Sequence, residues 1–146
     1  PEHTELIVVG KDKQQNRYQA LCKNSGLAER VHFFGPQENI MPFLQVSDAF
    51  VLPTIYDPFS NASLEALAMG LYLVTSNANG CSEVITEKSG FLIRNLRDDY
   101  SVAEAMRSAL KPRLSKREVR ETVRYLDFET QLQKIVDICI ADTDKR

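Results

Sequence analysis

Apolar residues fall first into short runs separated by polar, helix-period stretches, and later into helix-period stretches alone. Leu6-Ile7-Val8-Val9 is a β-branched run closed by Gly10 and predicts a buried strand. Lys11 to Asn16 is polar and opens a helix to about Ser25, with Tyr18, Leu21 and Cys22 on its apolar face and Gly26 as its stop. Val31–Phe34 predicts a second strand ended by Gly35-Pro36. Ile40, Phe43 and Leu44 predict a short helix over 39–46, and Ala49–Leu52 a third strand. Leu64, Leu67, Ala68 and Leu71 then recur at i, i+3, i+4 and i+7, which predicts a helix with one buried face, stopped by Gly70. Leu71–Thr75 predicts a fourth strand and Ser76–Gly80 a loop turning at Asn79-Gly80. Cys81–Thr86 predicts one or two helical turns, and Phe91–Ile93 a fifth strand.

After Asn95 only helical periods remain. Val102, Ala105, Met106 and Ala109 share a face ended by Pro112; Ser115–Leu126 predicts a second helix. Phe128–Ile140 predicts a third, with Leu132, Ile135, Val136 and Cys139 as its apolar stripe, before a polar, fraying tail over 142–146. Strands alternating with helices predict an α/β fold. The expected arrangement is a parallel-sheet, three-layer, Rossmann-like domain with added C-terminal helices. Ligands of such sheets bind outside the carboxyl ends of the strands. The loops at Gly10, Gly35, Pro53–Asn61 and Asn77–Gly80 all fall there.

The stretch from Asp57 to Gly70 concentrates the candidate chemistry. Pro53 and Pro58 make the connection into it irregular, and Ser60, Asn61 and Ser63 are all helix N-cap types. A helix N-terminus after a strand and loop presents free N–H groups and the positive end of a dipole to an anion. Asp57 and Glu65 bracket that site. From the residues alone, Glu65 fits two roles: a carboxylate accepting hydrogen bonds from a ribose diol, or an acid complementing the helix dipole. Asp57 is either a ligand group or an Asx turn before Phe59, and Ser60, Asn61 and Ala62 fit both capping and anion binding.

An acid, seven residues, then Glu-Ala and a small-residue turn resembles the E-x7-E region of retaining GT-B glycosyltransferases of family 4 (group 1). Val31-His32-Phe33-Phe34-Gly35, Ser47-Asp48-Ala49, Leu52-Pro53-Thr54, Gly80 through Glu83, and Ser89-Gly90-Phe91-Leu92-Ile93 match in the family's order, across roughly residues 6–95. The chain looks most like the lipopolysaccharide-core sugar transferases. The resemblance implies the C-terminal, donor-binding half of a GT-B fold over 1–146. An N-terminal acceptor domain and the first β–α unit of the donor domain would then precede it. It also implies that Glu65 holds the ribose hydroxyls and Asp57 the donor sugar. Backbone at Ser60, Asn61 and Ala62 would meet the diphosphate, and Gly35 and Gln37 would line the base pocket, beside a simple strand-to-loop turn as the other reading. Gly10-Lys11 borders the same pocket, and Gly80, Ser82 and Glu83 match a loop near the donor. Two positions depart from the family pattern: aspartate at 57, where glutamate is commoner, and Tyr72, where proline is usual.

The implied reaction moves a hexose, glucose for preference, from a UDP-sugar to a saccharide or lipopolysaccharide-core hydroxyl with retention and without a metal. The isolated chain, lacking the other domain, would be inactive. A sugar-nucleotide epimerase of the same architecture and a non-catalytic nucleotide-binding or interaction module are the alternatives. Composition is ordinary for a globular protein, at 43% hydrophobic and 26% charged. A net charge of −2 exerts no global pull toward nucleic acid. Cys22, Cys81 and Cys139 have no metal spacing and suit a reduced, cytoplasmic setting. No glycine-rich dinucleotide or Walker fingerprint occurs, so NAD and ATP hydrolysis gain no support. No apolar run reaches the ~18 residues of a transmembrane span. The basic stretch Lys111, Arg113, Lys116, Arg117, Arg120 and Arg124 is either a solvated helix or a peripheral contact with anionic lipid at the inner membrane face. His3 and His32 are isolated, and His32 is expected on the polar side of its strand.

Overall fold

The computed structural model describes residues 3–111 and 114–143, with the side chains of the last two left out. The helix stop assigned to Pro112, the charge of Arg113 and the tail beyond Thr143 lie outside the described residues. The chain divides into two compact units, Pro1–Val46 and Ser47–Arg146.

In the first unit, β1 (Leu6–Val9) and β2 (Val31–Gly35) pair in parallel from Leu6↔Val31 to Val8↔Phe33. The register then slips so that Val9 faces Gly35, and Gly10 N–H donates to the Gly35 carbonyl at 2.8 Å. Gly35 itself sits at φ +66°, a conformation that favours glycine. Between the strands, α1 runs from Gln15 to Asn24. It begins later than the sequence suggests because Asp12 turns the chain first, its Oδ1 accepting from Gln14 N–H at 2.6 Å. The apolar face expected on α1 is not buried: Tyr18 and Leu21 are exposed and only Cys22 is half-covered. A two-stranded sheet is too narrow to cover a helix. The helix α2 (Met41–Val46) starts where Asn39 Oδ1 accepts from Met41 N–H at 3.0 Å. Phe34 and Phe43 meet edge-on at 5.0 Å between centroids.

The second unit holds a parallel sheet in the order β3 (Ala49–Leu52), β4 (Tyr72–Ser76), β5 (Gly90–Ile93). Among the described residues the strands thus form two parallel sheets, and β1, β2, β3 and β5 are their edge strands. Every residue of the central strand β4 is buried. Its side chains alternate between faces, as strand geometry requires. Leu73 joins Leu67, Cys81, Val119 and Val123 on one side, and Tyr72 and Val74 join Ile93 and Ala105 on the other. The first cluster is supplied by α3 (Asn61–Ala68) and α5 (Lys116–Glu121), the second by α4 (Asp99–Ser108). This unit is therefore a three-layer α/β sandwich, as the alternation of elements predicts. Gly70 ends α3 at φ +82°, and a Cβ there would lie 2.2 Å from the Lys116 carbonyl, so the turn also admits α5.

Three C-terminal details depart from expectation. Met106, placed on the inner face of α4, is 36% exposed. The helix expected over Ser115–Leu126 splits into α5 and a 3₁₀ turn, Arg124–Leu126, because the chain leaves helical geometry at the β-branched Val123 (φ −117°). The final helix, α6 (Phe128–Thr143), exposes its apolar stripe, with Leu132 at 47% and Ile135 at 59%. Periodicity says which face can be buried, not what is present to cover it. The basic stretch is partly committed: Lys116 Nζ donates to the Ser47 carbonyl at 2.6 Å, and Arg124 pairs with Glu121 at 3.4 Å.

The start of α5 is a reciprocal cap. Ser115 Oγ accepts from Glu118 N–H, and Glu118 Oε2 accepts from Ser115 N–H at 2.8 Å. Hydrogen bonds from Ser115 hold the Glu118 carboxyl below the ordinary glutamate range. A depressed carboxyl contributes its stability above the unfolded pKa and loses it as pH falls through the folded one. Ser115→Ala is expected to cost about 1 kcal/mol at neutral pH. The difference from wild type should shrink below pH 4, as followed by urea unfolding across pH; a pH-independent difference would contradict the reciprocal cap.

Candidate functional site

The second unit gathers its candidate groups at the carboxyl ends of β3 and β4. After β3 the chain crosses Pro53–Phe59 to Ser60, the N-cap of α3, whose Oγ accepts from Ser63 N–H at 3.2 Å. Ser60 N–H is directed to the side chain of Asn79 at 3.4 Å. That leaves Asn61 and Ala62, the first two helical positions, with amides that have no acceptor within the helix. Of the donors expected at Ser60, Asn61 and Ala62, the latter two are the open ones. Glu65 stands exposed on the next turn, and Asp57 is half-buried before the helix. Neither carboxylate has a hydrogen-bond or ion-pair partner among the described residues.

Asp57 is held by its backbone. Its N–H donates to the Ala78 carbonyl at 3.0 Å, and its carbonyl accepts from Gly80 N–H at 2.9 Å, forming an isolated parallel bridge with Asn79. The backbones approach so closely that a Cβ on Gly80 would lie 1.9 Å from the Pro58 carbonyl. Glycine is required there by this approach.

Asn79 is the residue that sequence reasoning read only as a turn. It is fully buried. Its Oδ1 accepts from Ser60 and from Cys81 N–H at 3.1 Å; its Nδ2 donates to Ser63 Oγ at 3.2 Å and Thr75 Oγ1 at 3.0 Å. Both acceptor positions and both donors of the carboxamide are used. Around it, Thr75 Oγ1 donates to the Leu52 carbonyl at 2.8 Å and Ser76 Oγ to the Thr54 carbonyl at 2.5 Å. Cys81 Sγ reaches the Ser60 carbonyl at 3.3 Å. Burial pushes the Cys81 thiol up; a hydrogen bond with the Ser60 backbone opposes this, and the Asp57 charge adds to it. The thiol stays protonated and serves as a donor rather than a nucleophile. The available signal was the run of buried residues ending in Thr75-Ser76: hydroxyls closing a buried strand must find partners.

Ser82 and Glu83 lie on the 3₁₀ turn Gly80–Glu83, with Glu83 exposed. Gly35 and Gln37 belong to the first unit. Gln37 Nε2 donates to the Phe34 carbonyl at 2.9 Å, which fits the turn reading of that loop. His32 Nε2 lies 3.2 Å from Glu5 Oε2, an ion pair when the ring is protonated. Tyr72 uses its hydroxyl on the Gly90 carbonyl at 3.0 Å, a structural bond. Among the described residues no group of three His, Cys, Asp or Glu could hold a metal ion.

Residues 1–112 match the family model of glycosyl transferases group 1. A lipopolysaccharide core biosynthesis glycosyltransferase, LpsD of Rhizobium meliloti (strain 1021), is 35% identical over 119 residues, covering 78% of this chain and 35% of that protein. The crystal structure of WaaG, a glycosyltransferase involved in lipopolysaccharide biosynthesis, superposes with a TM-score of 0.74 at 25% identity, over 94% of this chain and 38% of that one. Anabaena Alr3699/HepE in complex with UDP shares the fold, with a TM-score of 0.79 at 22% identity, over 97% of this chain and 42% of that one. The chain spans about a third of the length of LpsD.

Proposed function

Because this chain belongs to the glycosyl transferases of group 1, we propose that it is the nucleotide-sugar-binding part of a retaining sugar transferase. The reaction moves a hexose, glucose for preference, from a UDP-sugar to a hydroxyl of a saccharide or lipopolysaccharide-core acceptor. The observation that carries this is the start of α3: two open amides, at Asn61 and Ala62, between two uncommitted carboxylates, Asp57 and Glu65. The LpsD and WaaG matches support the acceptor class, and the UDP bound to HepE supports the donor.

When the glycosidic bond breaks, negative charge grows on the leaving diphosphate. Amides and a helix dipole already aimed at that position stabilise it without reorganising. Glu65 grips the ribose diol and Asp57 the sugar hydroxyls, so both position rather than attack. The Asn79 network holds the Asp57 loop and the start of α3 in one geometry. The reading assigns the remaining parts of the transferase, an acceptor domain and a further β–α unit, to segments outside this chain. On its own the chain would not turn donor over.

A titration with UDP and ADP followed by amide chemical shifts tests this. UDP is expected to move Asn61, Ala62 and Glu65, with ADP at least tenfold weaker. No response at α3 to millimolar UDP, in this chain or in one extended upstream, would overturn the reading.

A further inference from the structure

Beside the Asp57 loop lies a groove of about 660 Å³ at the carboxyl ends of β3, β4 and β5, with Ile55, Asn77, Arg94, Asn95, Leu96 and Arg97 among its lining. We propose that it is the subsite for an anionic substituent, phosphate or carboxylate, on the sugar acceptor. This rests on the transferase reading above.

Position, size and charge argue for it. Parallel α/β sheets bind ligands outside the carboxyl ends of their strands, and the volume suits a sugar ring with its substituent. Ile55 and Leu96 offer apolar surface for a ring face. Arg94 and Arg97 are exposed, and neither guanidinium has a partner among the described residues. The nearest acid in sequence, Asp98, is committed to capping α4, where it accepts from Tyr100 and Ser101 N–H at 3.2 Å each. Asn95 Oδ1 accepts from Arg97 N–H at 3.0 Å, tying the short segment that carries both arginines. Arg94 and Arg97 both line this groove, and a guanidinium fork is the group that pairs with the oxygens of a phosphate or carboxylate. The donor's own diphosphate is matched by the Asn61 and Ala62 amides at the start of α3, so a second anion site on the segment after β5 fits the other substrate. The coupling is direct: Ala78, which lines the groove, accepts the Asp57 N–H.

The test titrates this chain with glucose 6-phosphate, glucuronate, glucose and inorganic phosphate, in wild type and in Arg94→Gln/Arg97→Gln, with UDP as a parallel arm. Both arginines are exposed, so the variant should fold. Glucose 6-phosphate and glucuronate are expected to move the Asn77, Ala78, Asn95 and Arg97 amides at least tenfold more tightly than glucose or inorganic phosphate. The double variant should lose at least tenfold while its UDP response at Asn61–Glu65 stays unchanged. Equal binding of glucose 6-phosphate by wild type and variant would overturn the proposal. So would inorganic phosphate binding as tightly as the sugar phosphate, which would mean an anion site without a sugar. A groove response with no UDP response at α3 would remove the donor reading and, with it, the assignment to an acceptor.

Discussion

Asn79→Ala is expected to destabilise the Ser47–Arg146 unit by about 3 kcal/mol, and to lower its thermal midpoint by roughly 10–20 °C. The side chain is fully buried and serves four groups: the amides of Ser60 and Cys81, and the hydroxyls of Ser63 and Thr75. Truncation leaves those groups without their partner, and each buried polar group so stranded costs ~1–3 kcal/mol before water repays part of it. Asn79→Asp keeps size and acceptors but has one donor when protonated and none when ionised, against the two that serve Ser63 and Thr75. It also places a carboxyl where ionisation is opposed by burial. The folded pKa is then raised, so the penalty should grow as pH rises above the unfolded aspartate value of about 3.9. Urea unfolding of both variants at pH 4 and pH 7 measures this. An Asn79→Ala protein within about 0.5 kcal/mol of wild type would mean that water fills the network, and that Asn79 does not organise the start of α3.

Glu65→Ala is expected to do the opposite, sparing stability and removing ligand. The carboxylate is exposed and has no partner among the described residues, so only its interaction with the dipole is lost from the fold, about 0.3–1 kcal/mol. Two charge-assisted hydrogen bonds to a ribose diol would contribute ~1.5–3 kcal/mol, which is roughly 10–100-fold in UDP affinity. Calorimetric titration with UDP alongside thermal melting separates the roles. Unchanged affinity with a lowered midpoint would leave Glu65 as a helix-dipole acid. Asp57→Ala provides the control within the same site: UDP affinity should hold while the gain from an attached glucose disappears.

Much of this site was legible because its parts are local. An N-cap at Ser60, open amides at Asn61 and Ala62, and acids at 57 and 65 depend on a few neighbouring residues and on the turn of one helix. Gly35 and Gln37 were legible as a strand end for the same reason. Asn79 was not, since its four partners come from α3, β4 and the following turn. Dipeptide chemistry at Asn79-Gly80 announces a turn whether or not the side chain is buried. Gly80 was equally opaque: its requirement comes from Pro58, 22 residues earlier, whose carbonyl would meet a Cβ at 1.9 Å.

The amino-acid sequence by itself determined the order of strands and helices, the caps, and the chemistry facing the start of α3. These follow from periodicity, φ/ψ preference and charge over a few residues. Only the tertiary structure decided that the strands make two sheets and that the apolar stripe of α6 is uncovered. It also decided that Arg94 and Arg97 line one groove and that a buried carboxamide ties the Asp57 loop to its helix. Those outcomes depend on which segments, distant along the chain, come within a few ångströms, where a hydrogen bond or a dispersion contact is made or lost.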